Sequence, residues 1–417
     1  MGYVKYLRGI GSGAQYPADS IMNLCPRDGR PVEIVLDLDR IRTELPNQAW
    51  YHPDRKDMWR FGALLPLDCG DADDRQWIVS LGEGHTPLLD YSDHPVAKKA
   101  GIRLEIKEEG SPYRGYGANP TRSFKDRGMA VAVSMAKKLG LTKVAVPTQG
   151  NAGDSLAAYA RAAGLEAAVV MPDNTPVPIL GNVAALALMN NSIVLDLVEG
   201  TIREAGQRIK EKFLPQGYFS VATFQEPGWR IEGKKTMGLE LAEPKPGKPG
   251  WSLPDVVIYP TGGGTGILGM WKAFDELEAL GVIGPERPRM VCLQSEGTCP
   301  LVRAFEAKEK DTTPMPAGET LAVGLNVPGG VGHFKVLDIL YNSRGTALTV
   351  SEKAMEAALR EAFFQKGWWL CPEGAGTVAA VEKLLEQGFL HPGEHVVAFN
   401  TGSFEKYLPE IRHLLVR

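Results

Sequence analysis

The stretch that most restricts the fold is "DVVIYPTGGGTGILGMWKAFDELEALG", residues 255–281. A short, almost wholly apolar run meets adjacent glycines. A pattern with helical spacing then follows, with Ile267, Met270, Trp271, Phe274 and Leu277 on one face. A strand apolar at every position has both faces covered, which is the condition of a parallel sheet layered between helices. The same alternation recurs along the chain. "TKVAVPT", "LEAAVVMP", "YFSVATF", "PRMVCLQ" and "HVVAFN" read as short buried strands. "DSLAAYARAAG", "TIREAGQRIKEKF" and "KKTMGLELAE" read as helices, the first ending at a glycine stop signal. The fold class is α/β with open parallel sheets.

The chain of 417 residues is long enough for two or three cores. The first 78 residues read as an irregular extension, with "RPVEIVLDLDRI" a strand and "DMWRFGALLPL" a short helix. A first α/β domain is expected over 79–225 and a second over 226–417, with "KEKDTTPMPAGET" an exposed loop. A formal net charge of −4 gives no electrostatic reason to bind nucleic acid or an anionic membrane surface. "PILGNVAALALMNNSIV" is too short and too broken to span a bilayer. The N-terminus lacks an apolar signal core. Five cysteines without close spacing write neither a disulfide framework nor a zinc ribbon, so a reducing cytoplasm is the expected setting and no metal is expected.

Several strand-to-helix junctions carry residues suited to chemistry. Gly262, Gly263, Gly264, Thr265 and Gly266 can form a tight turn or a phosphate cradle, because glycine admits close backbone approach and a helix N-terminus offers N–H groups. The spacing is neither the dinucleotide fingerprint nor the nucleoside-triphosphate loop. In "VPTQGNAGDSLAAYA", Asn151 can contact a ring oxygen or carboxylate; alternatively Asn151 or Asp154 caps the helix. In "AFNTGSF", Thr401 is a turn residue or a hydroxyl for a ring nitrogen. In "NPTRSFKDRGMAVAVSMAKKLG", Lys125 opens a helix. A cation is disfavoured there, so the lysine tends toward the uncharged nucleophile that Schiff-base chemistry requires. Asp126 and Arg127 read as structural. A reactive lysine, a glycine cradle, a ring-contacting Asn and a hydroxyl together describe a site for pyridoxal phosphate.

The runs "SFKDRG", "GNAGDSLAAYARAAG", "GGGTG" and "NTG" resemble, in this order, those of threonine synthases and their fold-type II pyridoxal phosphate relatives, whose fold is like that of the tryptophan synthase β subunit. "MWRFGALLPL", "SLGEGHTPLL" and "RIEGKKT" are similar to the threonine synthase branch in particular. The resemblance runs from about residue 25 to the end. It implies two domains flanking a cleft, a homodimer, and covalent attachment of pyridoxal 5'-phosphate to Lys125. By position it implies cofactor contacts from Phe124, Asn151, Gly262 to Gly266 and Thr401. It implies substrate contacts from Ser123, Arg122, Thr148, Gln149, Arg230 and Lys235, with Thr121 lining the lysine loop. The implied reaction converts O-phospho-L-homoserine and water to L-threonine and phosphate, with the released lysine moving protons at Cα and Cβ.

Departures from the family pattern bear on the substrate. Arg122 stands where relatives carry glycine in "NPTG". "TQGNA" replaces a serine- and threonine-rich loop, so Gln149 and Ala152 displace small hydroxyls. "TFQEPGW" replaces asparagines upstream of "RIEGKKT". A guanidinium at 122 suits a phosphate or carboxylate. The alternative reaction is β-elimination of serine or threonine, or β-replacement on O-phosphoserine. "CPRD", with one cysteine in place of a pair, is expected to hold no metal.

Overall fold

The structure is a computed structural model and describes residues 2–245 and 247–414. The chain forms two compact units, one of residues 1–85 and 119–236, the other of residues 86–118 and 237–417.

The first unit is built on a four-stranded parallel sheet. Its order is Ile193–Val198, Glu166–Pro172, Lys143–Pro147, Phe219–Ser220. Three successive strands step outward from Lys143–Pro147, and the fourth is placed on that strand's other side. The strand order therefore reverses between Lys143–Pro147 and Phe219–Ser220, and open sheets take ligands beyond the carboxyl ends at such a point. The helix Lys125–Lys138 and the helix Asn151–Ala163 belong to this unit, the latter ending at Gly164 in the left-handed conformation.

Residues 1–78 lie in the same unit and are ordered. Val4–Gly9 pairs antiparallel with Gln15–Tyr16 and with Val32–Leu36. The strand expected over 30–41 stops at Leu36, because the Asp37 side chain accepts from Arg40 N and starts the helix Leu38–Glu44. Met58–Leu64 is a 3-10 segment bent at Gly62. Its anchor is Glu83, which is fully buried. Glu83 accepts from Trp59 Nε1 at 2.8 Å, from Tyr159 Oη at 2.7 Å and from Leu81 N at 2.9 Å.

The second unit holds a six-stranded sheet ordered Thr346–Val350, Arg289–Ser295, Val256–Pro260, His395–Asn400, Arg103–Glu108, Leu88–Asp90, all parallel but the last. Residues 86–118 belong here because Arg103–Glu108 hydrogen-bonds to His395–Asn400, a pairing that no local pattern announces. Strand order reverses between Val256–Pro260 and His395–Asn400, so this unit too has a switch point. Ile267, Met270, Phe274 and Leu277 of the helix Thr265–Ala279 are fully buried, and Trp271 is half-buried at the edge of that face. "YFSVATF" forms only the two-residue strand Phe219–Ser220, with Val221 and Ala222 continuing as irregular chain. Among the described residues, no helix is long and apolar enough to cross a membrane.

Candidate active site

In the first unit, Lys125 is the first residue of its helix, half-buried, and Phe124 precedes it with helical φ and ψ and no side-chain cap. The loop before it is tied back by Asp126, whose carboxylate accepts from Thr121 N at 2.7 Å and Thr121 Oγ1 at 2.6 Å. Arg127 Nη1 donates to Thr236 Oγ1 at 2.9 Å. Asp126 and Arg127 thus fix the junction while Lys125 is presented at its end. Arg122 has φ 57, a left-handed conformation that glycine adopts without cost and a branched chain does not. That explains the family's glycine there and marks Arg122 as a strained residue beside the lysine, at a cost of about 1 kcal/mol. Ser123 Oγ is buried with no protein partner, as a hydroxyl kept for a ligand would be.

At the end of Lys143–Pro147, Thr148 Oγ1 accepts from Gly150 N at 3.1 Å and donates to Gly150 O at 3.2 Å, closing the turn. Gly150 is the N-cap residue, so neither Asn151 nor Asp154 stands at the cap position. Asn151 is the first helical residue. Asp154 accepts from Asn182 Nδ2 at 3.1 Å. A carbon added at Gly150 would meet nothing within 4 Å, so this glycine faces open space. Gln149 is half-buried in the same turn.

At the end of Phe219–Ser220, the chain turns through Phe224, with φ 64, to Glu226 and the helix Trp229–Ala242. Arg230 is buried. Its Nη1 donates to Val221 O at 3.0 Å, while Nε has no protein partner. Burial lowers Arg230 to about 10 and raises Glu226 to about 7, despite the attraction between them. Glu226 Oε2 accepts from Arg230 N at 3.2 Å, and its Oε1 is unpartnered. Lys235 is fully buried in an ion pair with Glu232 at 2.6 Å.

In the second unit, Val256–Pro260 ends in the Gly262–Gly266 turn. Gly264 has φ 92, and a carbon there would fall 2.4 Å from Val336 Cγ2; at Gly266 it would fall 2.2 Å from Tyr259 Oη. The turn feeds the N-terminus of the 15-residue helix Thr265–Ala279. His333, which the sequence did not single out, holds it: Nε2 donates to Gly262 O at 3.0 Å and Nδ1 accepts from Thr312 Oγ1 at 3.0 Å. Burial holds His333 below the usual histidine range, which agrees with this single neutral tautomer. A bare backbone cradle at a long helix's N-terminus, with no acidic side chain in its first turn, fits a phosphate group.

Thr401 follows the adjacent strand His395–Asn400. It is buried, with Oγ1 3.9 Å from Cys371 Sγ. Burial first, and Glu373 next, push that thiol well above its usual value, so Thr401 has an uncharged neighbour. Asn400 locks the turn: Nδ2 donates to both Glu108 oxygens at 2.8 and 2.9 Å, and Oδ1 accepts from Cys371 N at 2.9 Å. The glycine cradle and Thr401 thus flank the switch point of their sheet, and Asn151 and Arg230 flank that of the other. These residue types fit the phosphate, ring and substrate of a pyridoxal phosphate enzyme.

One set of metal-binding side chains occurs among the described residues. His52, Asp68 and Cys69 bring ligand atoms within 4.8 Å of one another, and Cys69 Sγ donates to Trp59 O at 3.0 Å. Cys25 is buried, with Sγ 3.3 Å from Ser12 Oγ and 3.1 Å from Tyr16 Oη.

Comparison with known proteins points to the same cofactor. Residues 79–402 match the model of the family described as pyridoxal-phosphate dependent enzyme. The chain is 32% identical to the threonine synthase of Methanocaldococcus jannaschii over 95% of this chain and 91% of that protein. It is 30% identical to the threonine synthase of Methanosarcina acetivorans over 96% and 92%. Among solved structures, threonine deaminase isoform 2 of Solanum lycopersicum shares the fold at TM-score 0.62 and 22% identity, covering 83% of this chain and 94% of that one. Diaminopropionate ammonia lyase of Escherichia coli does so at TM-score 0.63 and 16% identity, covering 82% and 89%. The chain belongs to the pyridoxal-phosphate dependent enzymes, and within them it is a threonine synthase-like lyase.

Proposed function

We propose that the chain converts O-phospho-L-homoserine and water to L-threonine and phosphate, as a cytoplasmic homodimer. The observation that carries the phosphorylated substrate is Arg230. It is a buried guanidinium in the same unit as Lys125, with Nε unpartnered and its acidic neighbour Glu226 raised to about 7. A buried cation so weakly compensated is suited to an anionic ligand group. Lys235 is the second candidate for that group, though Glu232 already engages it. Arg122, Ser123, Thr148 and Gln149 are the remaining candidates for substrate contact.

When bound, pyridoxal phosphate supplies an electron sink for charge developing at the substrate's Cα. Lys125 would hold the cofactor covalently, and its amine, once released, would move protons at Cα and Cβ. Phe124 and Asn151 would contact the cofactor ring. The backbone N–H groups of Gly262, Gly263, Gly264, Thr265 and Gly266 would take its phosphate, and Thr401 would offer a neutral hydroxyl to the pyridine nitrogen. The test is to supply the purified enzyme, in separate tubes, with O-phospho-L-homoserine, O-phospho-L-serine, L-serine and L-threonine. Phosphate and threonine released together from the first substrate are expected. No phosphate from it, with keto acid and ammonia from serine or threonine, overturns the proposal in favour of β-elimination.

A further inference from the structure

The helix that opens with Lys125 crosses the start of Trp229–Ala242 at two glycines. A carbon added at Gly233 would fall 1.8 Å from Arg127 O; at Gly128 it would fall 3.2 Å from Arg230 O and 3.3 Å from Lys234 Cε. A larger residue does not fit at 233 and would be tight at 128, so the two backbones pass close together, and the Arg127–Thr236 bond ties them. This crossing separates two neighbouring lysines. Lys235 turns to Glu232, and Lys234 turns to the residue before Lys125. The ring of Phe124 carries both amines, with Lys125 Nζ 4.5 Å and Lys234 Nζ 5.0 Å from its centroid.

Lys234 is fully buried. The ionisable groups acting on it are Lys125 from the facing helix, Arg230 from its own helix and Glu226 from the preceding turn. Arg127 is engaged by Thr236, Asp126 by Thr121, and Glu232 by Lys235. Burial first, then Lys125 and Arg230, hold Lys234 well below the usual lysine range, with Glu226 opposing. A buried lysine that gives up its proton more readily than a free one serves as a general base.

We propose that Lys234 is a positioning residue for Lys125, its acid–base partner, which takes the proton Lys125 must lose to become a nucleophile and returns it when that nitrogen is released. In the forward step an N–H bond of the Lys125 ammonium breaks and one forms on the Lys234 amine, so the positive charge changes residue. The Lys125 lone pair then attacks the cofactor's aldehyde carbon and water leaves, with no change of oxidation state. The inference rests on Lys125 as the residue that binds the cofactor, and it extends the site to a position of "RIEGKKT" to which the resemblance assigns no role.

The test uses holoenzyme mixed with L-2-aminobutyrate, an amino acid without a leaving group. Stopped-flow visible absorbance gives the rate of amine exchange at Lys125 as a function of pH. The natural protein should show an ionisation below the usual lysine range. Lys234→Met should lose that ionisation and exchange at least about tenfold more slowly at pH 7. Lys234→Gln repeats the loss with a polar side chain, in case Met perturbs the fold. Lys234→Arg keeps a long basic side chain but is permanently charged and cannot surrender a proton, so it should fail to restore the profile. A natural pH profile in Lys234→Arg, or in both Met and Gln variants, overturns the proposal. Lys125→Ala separates it from the underlying reading: if that variant retains the bound-cofactor absorbance, the covalent attachment is elsewhere and the reading itself falls.

Discussion

The two units solve the same problem with opposite chemistry. Each is an open, mainly parallel sheet whose strand order reverses once, and candidate residues follow the strands that flank each reversal, Asn151 and Arg230 in the first unit, the Gly262–Gly266 turn and Thr401 in the second. The first unit's other candidates are ionisable or strained: Lys125, Lys234, Glu226 and the left-handed Arg122, beside the buried Arg230. In the second they are neutral and rigid: a glycine backbone pinned by an uncharged imidazole, and a threonine hydroxyl beside an uncharged thiol. The difference shows that topology supplies the place and side-chain ionisation decides the task. Ionisable candidates belong to the first unit, and the backbone cradle belongs to the second. Substitutions in the first unit should therefore change rate and pH dependence, and those in the second should change affinity.

The sharpest break would come at Lys125. Lys125→Ala should lower turnover at least about a thousandfold. Its melting temperature should stay within a degree or two, because the residue is half-buried at a helix start and alanine suits a helix. Residual activity within tenfold of the natural enzyme would mean that the first unit does not carry the covalent chemistry.

Gly266→Ala probes the other side. The new carbon would lie 2.2 Å from Tyr259 Oη, and the Tyr259 ring is buried edge-on against Phe399 at 5.1 Å. The tyrosine has nowhere to move, so the variant should lose about 3 kcal/mol of stability. It should also bind pyridoxal phosphate at least tenfold more weakly, while the loaded fraction turns over at the natural rate. Denaturant unfolding and cofactor titration check both. A lower rate at saturating cofactor would show that the second unit takes part in proton transfer after all.

The sequence announced the α/β class, the strand-to-helix junctions and the residues at them, because each is local: a run of apolar residues, a glycine, then helical spacing. It did not show which strands are neighbours. Arg103–Glu108 joins the second sheet by pairing with a strand nearly 300 residues away, and only that pairing moves residues 86–118 out of the first unit. The same limit hid His333, whose role depends on a hydrogen bond across 71 positions, and Lys234, which a helix crossing brings to Phe124. "SLGEGHTPLL" marked the family without revealing that Glu83 is a buried anchor for Trp59 and Tyr159. Arg122 was visible as a departure from glycine, but its left-handed backbone was not.

The smallest effect discriminates most finely, because each unit buries one carboxyl raised to about 7. Glu108 in the second unit accepts from Asn400 Nδ2, Gly110 N and Ser111 N; Glu226 in the first accepts from Arg230 N and leaves Oε1 unpartnered. A carboxyl whose folded value lies above its unfolded one binds extra protons in the folded state. Its favourable contribution is full below about pH 4.5 and is lost as pH rises through 7. The natural protein should therefore lose stability between pH 5 and pH 8. Glu226→Gln, with no proton to lose, should remove on the order of 2 kcal/mol of that slope and unfold at nearly the natural midpoint at pH 5. Glu108→Gln should behave differently. Its amide would face three N–H donors with one oxygen instead of two, so stability should fall at both pH values. Urea unfolding of both variants at the two pH values decides it. Equal flattening in both would mean that the two carboxyls are equivalent buried acids, and that the unpartnered Glu226 oxygen has no separate role in the charged cluster around Lys125.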